Sequence, residues 1–167
     1  KAGRRFPDFA DAAELTNLYQ TTKMNPIRIG LIGLGRMGGF FLEELRKSEK
    51  WEVAYICDIS PESRARAQKL APEAKVISDE QEIFDDPSVQ VVGLFALADS
   101  RKSQIEKAFA CGKHVIAEKP ISDCVENEWK AVELAENTQL FSTVNLYLRN
   151  SWYHKTIKDF IDQGEIG

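Results

Sequence analysis

Short apolar runs at Ile27 to Ile32, Glu52 to Cys57, Lys75 to Ile77, Val89 to Leu97, His114 to Ala117 and Gln139 to Val144 are separated by longer amphipathic stretches. Alternation of this kind predicts repeated strand-helix units and therefore an α/β fold around a parallel sheet. The central runs are apolar on both faces, as strands must be when helices cover both sides of a sheet. Several helix ends are legible. Ser60 is placed to cap a helix with Pro61 at its first position, Ser122 to cap one running to about Asn137 with Leu134 and Ala135 on its apolar side, and Asn150 to cap one that Gly164 closes. Residues 1–23 stand outside this rhythm. Pro7 and Asp8 can open a helix in which Phe9, Ala12, Ala13, Leu15, Leu18 and Tyr19 form an apolar side, with Thr21 and Thr22 as breakers. That segment reads either as an N-terminal arm or as an upstream extension ahead of Met24.

Composition narrows the classes. With 167 residues, 43% of them hydrophobic and 29% charged, the chain has enough apolar surface for one good core. A net charge of -4 and a pI near 5.3, with no cluster of Lys and Arg, argue against a nucleic-acid partner. The longest apolar runs, Ile29 to Leu34 and Val91 to Ala98, fall far short of the roughly 20 residues of a membrane span. No membrane partner is expected, and the absence of a signal-peptide pattern makes the cytoplasm the default. Cys57, Cys111 and Cys124 are an odd number without paired spacing and have only His114 and His154 beside them, so neither a disulfide framework nor a metal site is expected. Each cysteine reads as a small buried apolar residue in a reducing compartment.

Chemistry enters directly after the first run. Gly33-Leu34-Gly35-Arg36-Met37-Gly38 is a G-x-G-x-x-G turn leading into the helical pattern Phe40, Phe41, Leu45. Gly33 permits the tight turn, Gly35 leaves room for a pyrophosphate at the backbone, and Gly38 lets helix and strand pack closely. The helix start at Arg36, Met37 and Gly38 offers free N–H groups and a partial positive charge to phosphates. Asp58 ends the second run, close to the roughly 20 residues past the turn at which a dinucleotide fingerprint needs an acid. A carboxylate there accepts from both adenosine ribose hydroxyls and repels a 2'-phosphate, which favours NAD and leaves NADP possible. Arg64 and Arg66 follow in the next helix, either as solvated charges or as partners for a 2'-phosphate.

The stretch Ala110-Cys111-Gly112-Lys113-His114-Val115-Ile116-Ala117-Glu118-Lys119-Pro120 resembles the A-G-K-H-V-x-x-E-K-P signature of the glucose-fructose oxidoreductase, inositol dehydrogenase and rhizopine-catabolism (Gfo/Idh/MocA) family. Together with the glycine turn, Asp58, and Arg149 ahead of a helix ending Gly164-Glu165-Ile166-Gly167, the resemblance runs from about Ile27 to the last residue. It implies a Rossmann-type doubly wound, mainly parallel sheet, with strands in the order 3-2-1-4-5-6, over residues 24–167. It also implies a C-terminal substrate domain absent from this chain, so that this piece alone is inactive. The implied activity is hydride transfer between a nicotinamide cofactor and an alcohol or ketone carbon of a polyol, sugar or cyclitol, in a homo-oligomer when the protein is whole. Lys119 matches the lysine that reaches nicotinamide and substrate, Glu118 and Pro120 shape its loop, and Ala96 lies in the loop beside the nicotinamide. Similar proteins often carry a cis bond before that proline, although an X-Pro bond is trans by default. His114 belongs to the signature in a structural role. The chain departs from the family at Ala96-Leu97, where a threonine-proline pair is common, and at Arg101, where a histidine is. Those departures keep a second reading open, a dinucleotide-sensing regulatory module that binds without turnover.

Overall fold

The computed structural model describes residues 25–146, 148 and 151–166, so the expected N-terminal helix, Arg149 and the capping role of Asn150 lie outside the described residues. Six strands form one sheet: β1 (Ile27–Ile32), β2 (Trp51–Cys57), β3 (Lys75–Ile77), β4 (Val91–Leu94), β5 (His114–Ala117) and β6 (Ser142–Val144). Their order is β3-β2-β1-β4-β5-β6, and every neighbouring pair is parallel. Six helices connect and follow them: α1 (Arg36–Arg46), α2 (Pro61–Leu70), α3 (Gln81–Asp85), α4 (Ala98–Ala110), α5 (Val125–Glu136) and α6 (Trp152–Asp162).

Strand side chains alternate between two cores. Ile29, Leu31, Ile56 and Val91 pack with Leu42 and Leu45 of α1 and Ala67 of α2 on one face. Ile32, Val92, Leu94, Val115 and Ala117 pack with Ile83 of α3, Ile105 and Ala108 of α4 and Ala131 of α5 on the other. Burial on both faces is why the central runs carry no polar alternation.

Two strands are shorter than their apolar runs. Val89 is held in a turn by its N–H bond to the Asp86 carbonyl, and β4 ends at Leu94 because Ala96 and Leu97 turn into α4. At the other end, Thr138 Oγ1 accepts from Leu140 N and turns the chain before β6. The Ser60 cap forms as expected, with Oγ accepting from Ser63 N. Ser122 does not cap a helix. It is buried and donates to Asp123 Oδ1 at 2.9 Å, while Cys124 takes the cap position of α5. Ser151 holds the corresponding position of α6, and Gly164 closes that helix at φ +75°. The cysteine expectation holds only for Cys57, which is buried with its thiol pushed up to about 12 by desolvation. Cys111 and Cys124 are exposed because they sit at the end of α4 and the start of α5, outside either core.

The signature residues Lys113 and His114 hold the sheet together. Lys113 is fully buried, and its ammonium donates to the carbonyls of Asp86 and Val89 at 2.7 and 3.0 Å. His114 Nδ1 accepts from Phe141 N at 2.9 Å, which ties the approach to β6 against β5. The Asp86 carboxylate in turn gathers Ser88 N, Ser88 Oγ and Tyr55 OH, and these bonds, led by the Ser88 hydroxyl, hold its carboxyl below the usual range.

Candidate functional site

β1 pairs with β2 on one side and with β4 on the other, so the crossovers leave the sheet in opposite directions and a crevice opens at the carboxyl ends of these strands. A cleft of about 570 Å³ occupies that position, with Gly33, Gly35, Asp58 and Ala96 among its lining residues. A larger hollow of about 660 Å³ lies along the β6 edge, but its walls are mostly apolar residues such as Phe109, Val115, Val132 and Val144. The groups capable of chemistry are at the smaller cleft.

The three glycines of the turn have different reasons. Gly33 has φ +90°, and a Cβ there meets the backbone of Ala96 at 2.4 Å. On Gly38 a Cβ meets the Gly33 carbonyl oxygen at 2.0 Å, so this glycine brings α1 down onto the turn. A Cβ on Gly35 meets nothing within 4 Å, because this residue faces the open cleft. The N-terminus of α1 carries no side-chain cap and no acid in its first turn, leaving the N–H groups of Arg36, Met37 and Gly38 to a ligand or to water. A turn left bare of side chains where helix donors converge fits a pyrophosphate.

Asp58 joins the two halves of this wall. Its Oδ2 accepts from Leu34 N at 2.6 Å and its Oδ1 from Ser60 N at 2.8 Å, so the acid fixes the glycine turn against the start of α2. Each oxygen keeps acceptor capacity for a hydroxyl. Arg64 donates to the carbonyls of Asp58 and Ile59, and Arg66 donates to the carbonyl of Leu34. Both guanidiniums therefore donate to backbone beside the acid, and Arg66 stays exposed to solvent in line with one of the two expectations from the sequence.

At the carboxyl end of the strand next to β4, Glu118, Lys119 and Pro120 follow β5, with a cis bond before the proline. Lys119 is exposed at the carboxyl end of the strand, whereas Glu118 is buried and its Oε2 accepts from Asn145 Nδ2 at 2.7 Å. Arg101, only 3% exposed, donates to the carbonyls of both Ala96 and Pro120 and so links the loop after β4 to the loop that carries Lys119. Burial pulls this guanidinium below its ordinary value, with Glu118 and Asp99 opposing. Gly33, Gly35, Asp58 and Ala96 thus share one cleft. Met37 and Gly38 sit behind its glycine wall, Arg36 opens α1, and Glu118 and Lys119 stand at the adjacent strand end. Sequence reasoning missed Asn145, Glu80 and Gln104, since an isolated amide or acid carries no spacing signal.

A parallel sheet in this order, with a glycine turn and an acid at its switch point, defines a dinucleotide-binding Rossmann domain. Residues 27–146 match a family model described as an oxidoreductase family with an NAD-binding Rossmann fold, and the chain belongs to that Gfo/Idh/MocA family. Inositol 2-dehydrogenase of Salmonella typhimurium is 27% identical over 144 residues, spanning 84% of this chain and 43% of the relative. Myo-inositol 2-dehydrogenase of Thermotoga maritima is 29% identical over 145 residues, spanning 84% of this chain and 42% of the relative. Among solved structures, scyllo-inositol dehydrogenase from Lactobacillus casei with bound NAD(H) and scyllo-inositol superposes with a TM-score of 0.77 at 25% identity, over 85% of this chain and 42% of that one. The chain spans about two fifths of the length of these relatives. No helix among the described residues is long and apolar enough to cross a membrane.

Proposed function

We propose that residues 24–167 form the nicotinamide-dinucleotide-binding domain of an oxidoreductase acting on a CH–OH carbon of a sugar or cyclitol, with NAD preferred over NADP. The observation that carries this is the cleft itself: a glycine turn with open space at Gly35, flanked by the Asp58 carboxylate. Gly33, Gly35 and the first-turn N–H groups of Arg36, Met37 and Gly38 would hold the pyrophosphate, Asp58 the adenosine ribose, and Ala96, Glu118 and Lys119 the nicotinamide end. The cofactor, when bound, supplies the hydride acceptor or donor. The protein's own part is orientation and charge. The Lys119 ammonium, exposed at the end of β5, is suited to stabilise negative charge on a reacting oxygen. Its loop is anchored through the Pro120 carbonyl by Arg101, and Glu118 beside it is anchored by Asn145. Membership in an oxidoreductase family favours turnover over a purely sensing module. For the whole protein we place the enzyme in the cytoplasm as a homo-oligomer, with the remaining catalytic groups in a substrate domain.

Calorimetric titration tests the cofactor reading. The chain is expected to bind NAD, and Asp58→Ala to weaken NAD by about tenfold or more while affecting NADP less, since the change removes ribose hydrogen bonds and relieves repulsion of a 2'-phosphate. Equal losses for both dinucleotides, or no binding by the parent chain, would sink it.

A further inference from the structure

We propose that Arg101 is a positioning residue whose buried guanidinium supplies the countercharge for Glu118, so that Lys119, the next residue in the chain, is left unpaired for a ligand. The use of a free Lys119 rests on the functional reading above, whereas the charge arrangement stands on the geometry of this chain alone.

Two side chains of opposite charge are buried at this junction, Arg101 at 3% and Glu118 at 6% exposed. Their hydrogen-bond partners among the described residues are neutral. Glu118 Oε2 accepts from the amide of Asn145, and the Arg101 donors go to the carbonyls of Ala96 and Pro120. Such groups satisfy donors and acceptors but bring no net charge. Each buried ion still needs an opposite charge, and in a low-dielectric interior that charge acts beyond contact distance. Burial pulls the guanidinium below its ordinary value, and Glu118 is the stronger of the two carboxylates that work against this. Arg101 and Glu118 therefore balance each other inside the loop.

Lys119 is the cation left over. It follows Glu118 directly, is exposed, and makes no hydrogen bond or ion pair among the described residues. A buried carboxylate without a countercharge attracts whatever cation reaches it, and an ammonium on a flexible stem at the next residue is the first to do so. Arg101 removes that attraction from the inside. The same guanidinium also holds the carbonyls of Pro120 and Ala96, so the loop is fixed through its backbone and needs no tether from the Lys119 side chain. One group thus supplies both the charge balance and the anchor.

The test follows acetylation of Lys119 by N-acetoxysuccinimide on the full chain, without cofactor or substrate, read by peptide mass spectrometry. Lys69, exposed and also unpaired among the described residues, is the internal reference. Arg101→Gln removes the charge and keeps an amide donor, and it should slow Lys119 relative to Lys69 by about fivefold, the scale of one ion pair. Arg101→Lys should keep the wild-type ratio. Adding Glu118→Gln to Arg101→Gln should restore it, since no carboxylate then remains to capture the ammonium. A loop merely loosened by the loss of Arg101 predicts the opposite, faster acetylation that Glu118→Gln does not reverse. Glu118→Gln alone should leave the ratio unchanged, and it keeps the inference refutable even where Arg101→Gln does not fold. If that variant speeds Lys119, the ammonium was already paired with Glu118 and the inference fails. An unchanged ratio in folded Arg101→Gln overturns it too, as does slowing that persists in the double variant. Dinucleotide binding is decided separately by the calorimetric titration, so the cofactor reading stands or falls on its own.

Discussion

At the scale of single residues, the glycine turn separates folding from binding within four positions. A methyl group on Gly38 runs into the Gly33 carbonyl at 2.0 Å, and backbone has no rotamer with which to yield. Gly38→Ala is therefore expected to destabilise the domain by ~3 kcal/mol or more, read as a lower urea midpoint. Gly35 has φ -60° and open space around it, so Gly35→Ala should cost within about 1 kcal/mol, the loss at a helix cap. The same variant should nevertheless weaken NAD by about tenfold or more, because its methyl occupies the approach of the pyrophosphate. If both variants lose stability alike, the division of labour is wrong. The turn and Asp58 were legible because the motif fixes residue type and spacing together. Gln104 and Asn145 were not, because their partners Glu80 and Glu118 lie 24 and 27 residues away in sequence.

Among the elements, strand positions followed from apolar runs and strand order from the family resemblance, whereas ends depended on single contacts that no periodicity encodes. β4 is the clearest case. The apolar run continues through Ala96 and Leu97, yet the strand ends at Leu94, the Ala96 backbone packs against Gly33, and Leu97 takes the cap position of α4. Ser122 offered the right residue type for a cap two positions too early, and burial beside Asp123 took it away. Lys113 has a role that only the structure reveals, since a lysine just before a strand reads as solvated. Lys113→Met keeps the aliphatic stem and leaves two carbonyls without their donor. It should lower stability by ~2–4 kcal/mol, as measured by denaturant unfolding, without changing NAD affinity in the folded protein. A change below ~0.5 kcal/mol would mean that water replaces the ammonium.

At the scale of the whole molecule, the catalytic assignment of Lys119 needs a protein that also holds the substrate. In such a protein Lys119→Ala should lower turnover by on the order of 10² to 10³ and leave cofactor affinity within a few fold, the pattern of an electrostatic stabiliser acting in the transition state. Steady-state kinetics on sugars and cyclitols, with cofactor titration alongside, decides it, and full turnover in the variant refutes the role. α6 also belongs to this scale. It buries no residue, and it leaves Trp152, Ile157 and Ile161 exposed among the described residues. The placement of the cleft has one more consequence, in time. Its glycine wall stands on β1 and its far wall on the loop after β4, and these strands are joined through partners as distant as Arg28 and Gln90, 62 residues apart. β1 and β2 can associate early, since little chain has to be ordered between them, but the cleft does not exist until the longer loop closes. A dinucleotide therefore has nothing to bind while the chain is collapsing, and it acts instead as a brake on unfolding, holding shut the junction that forms last.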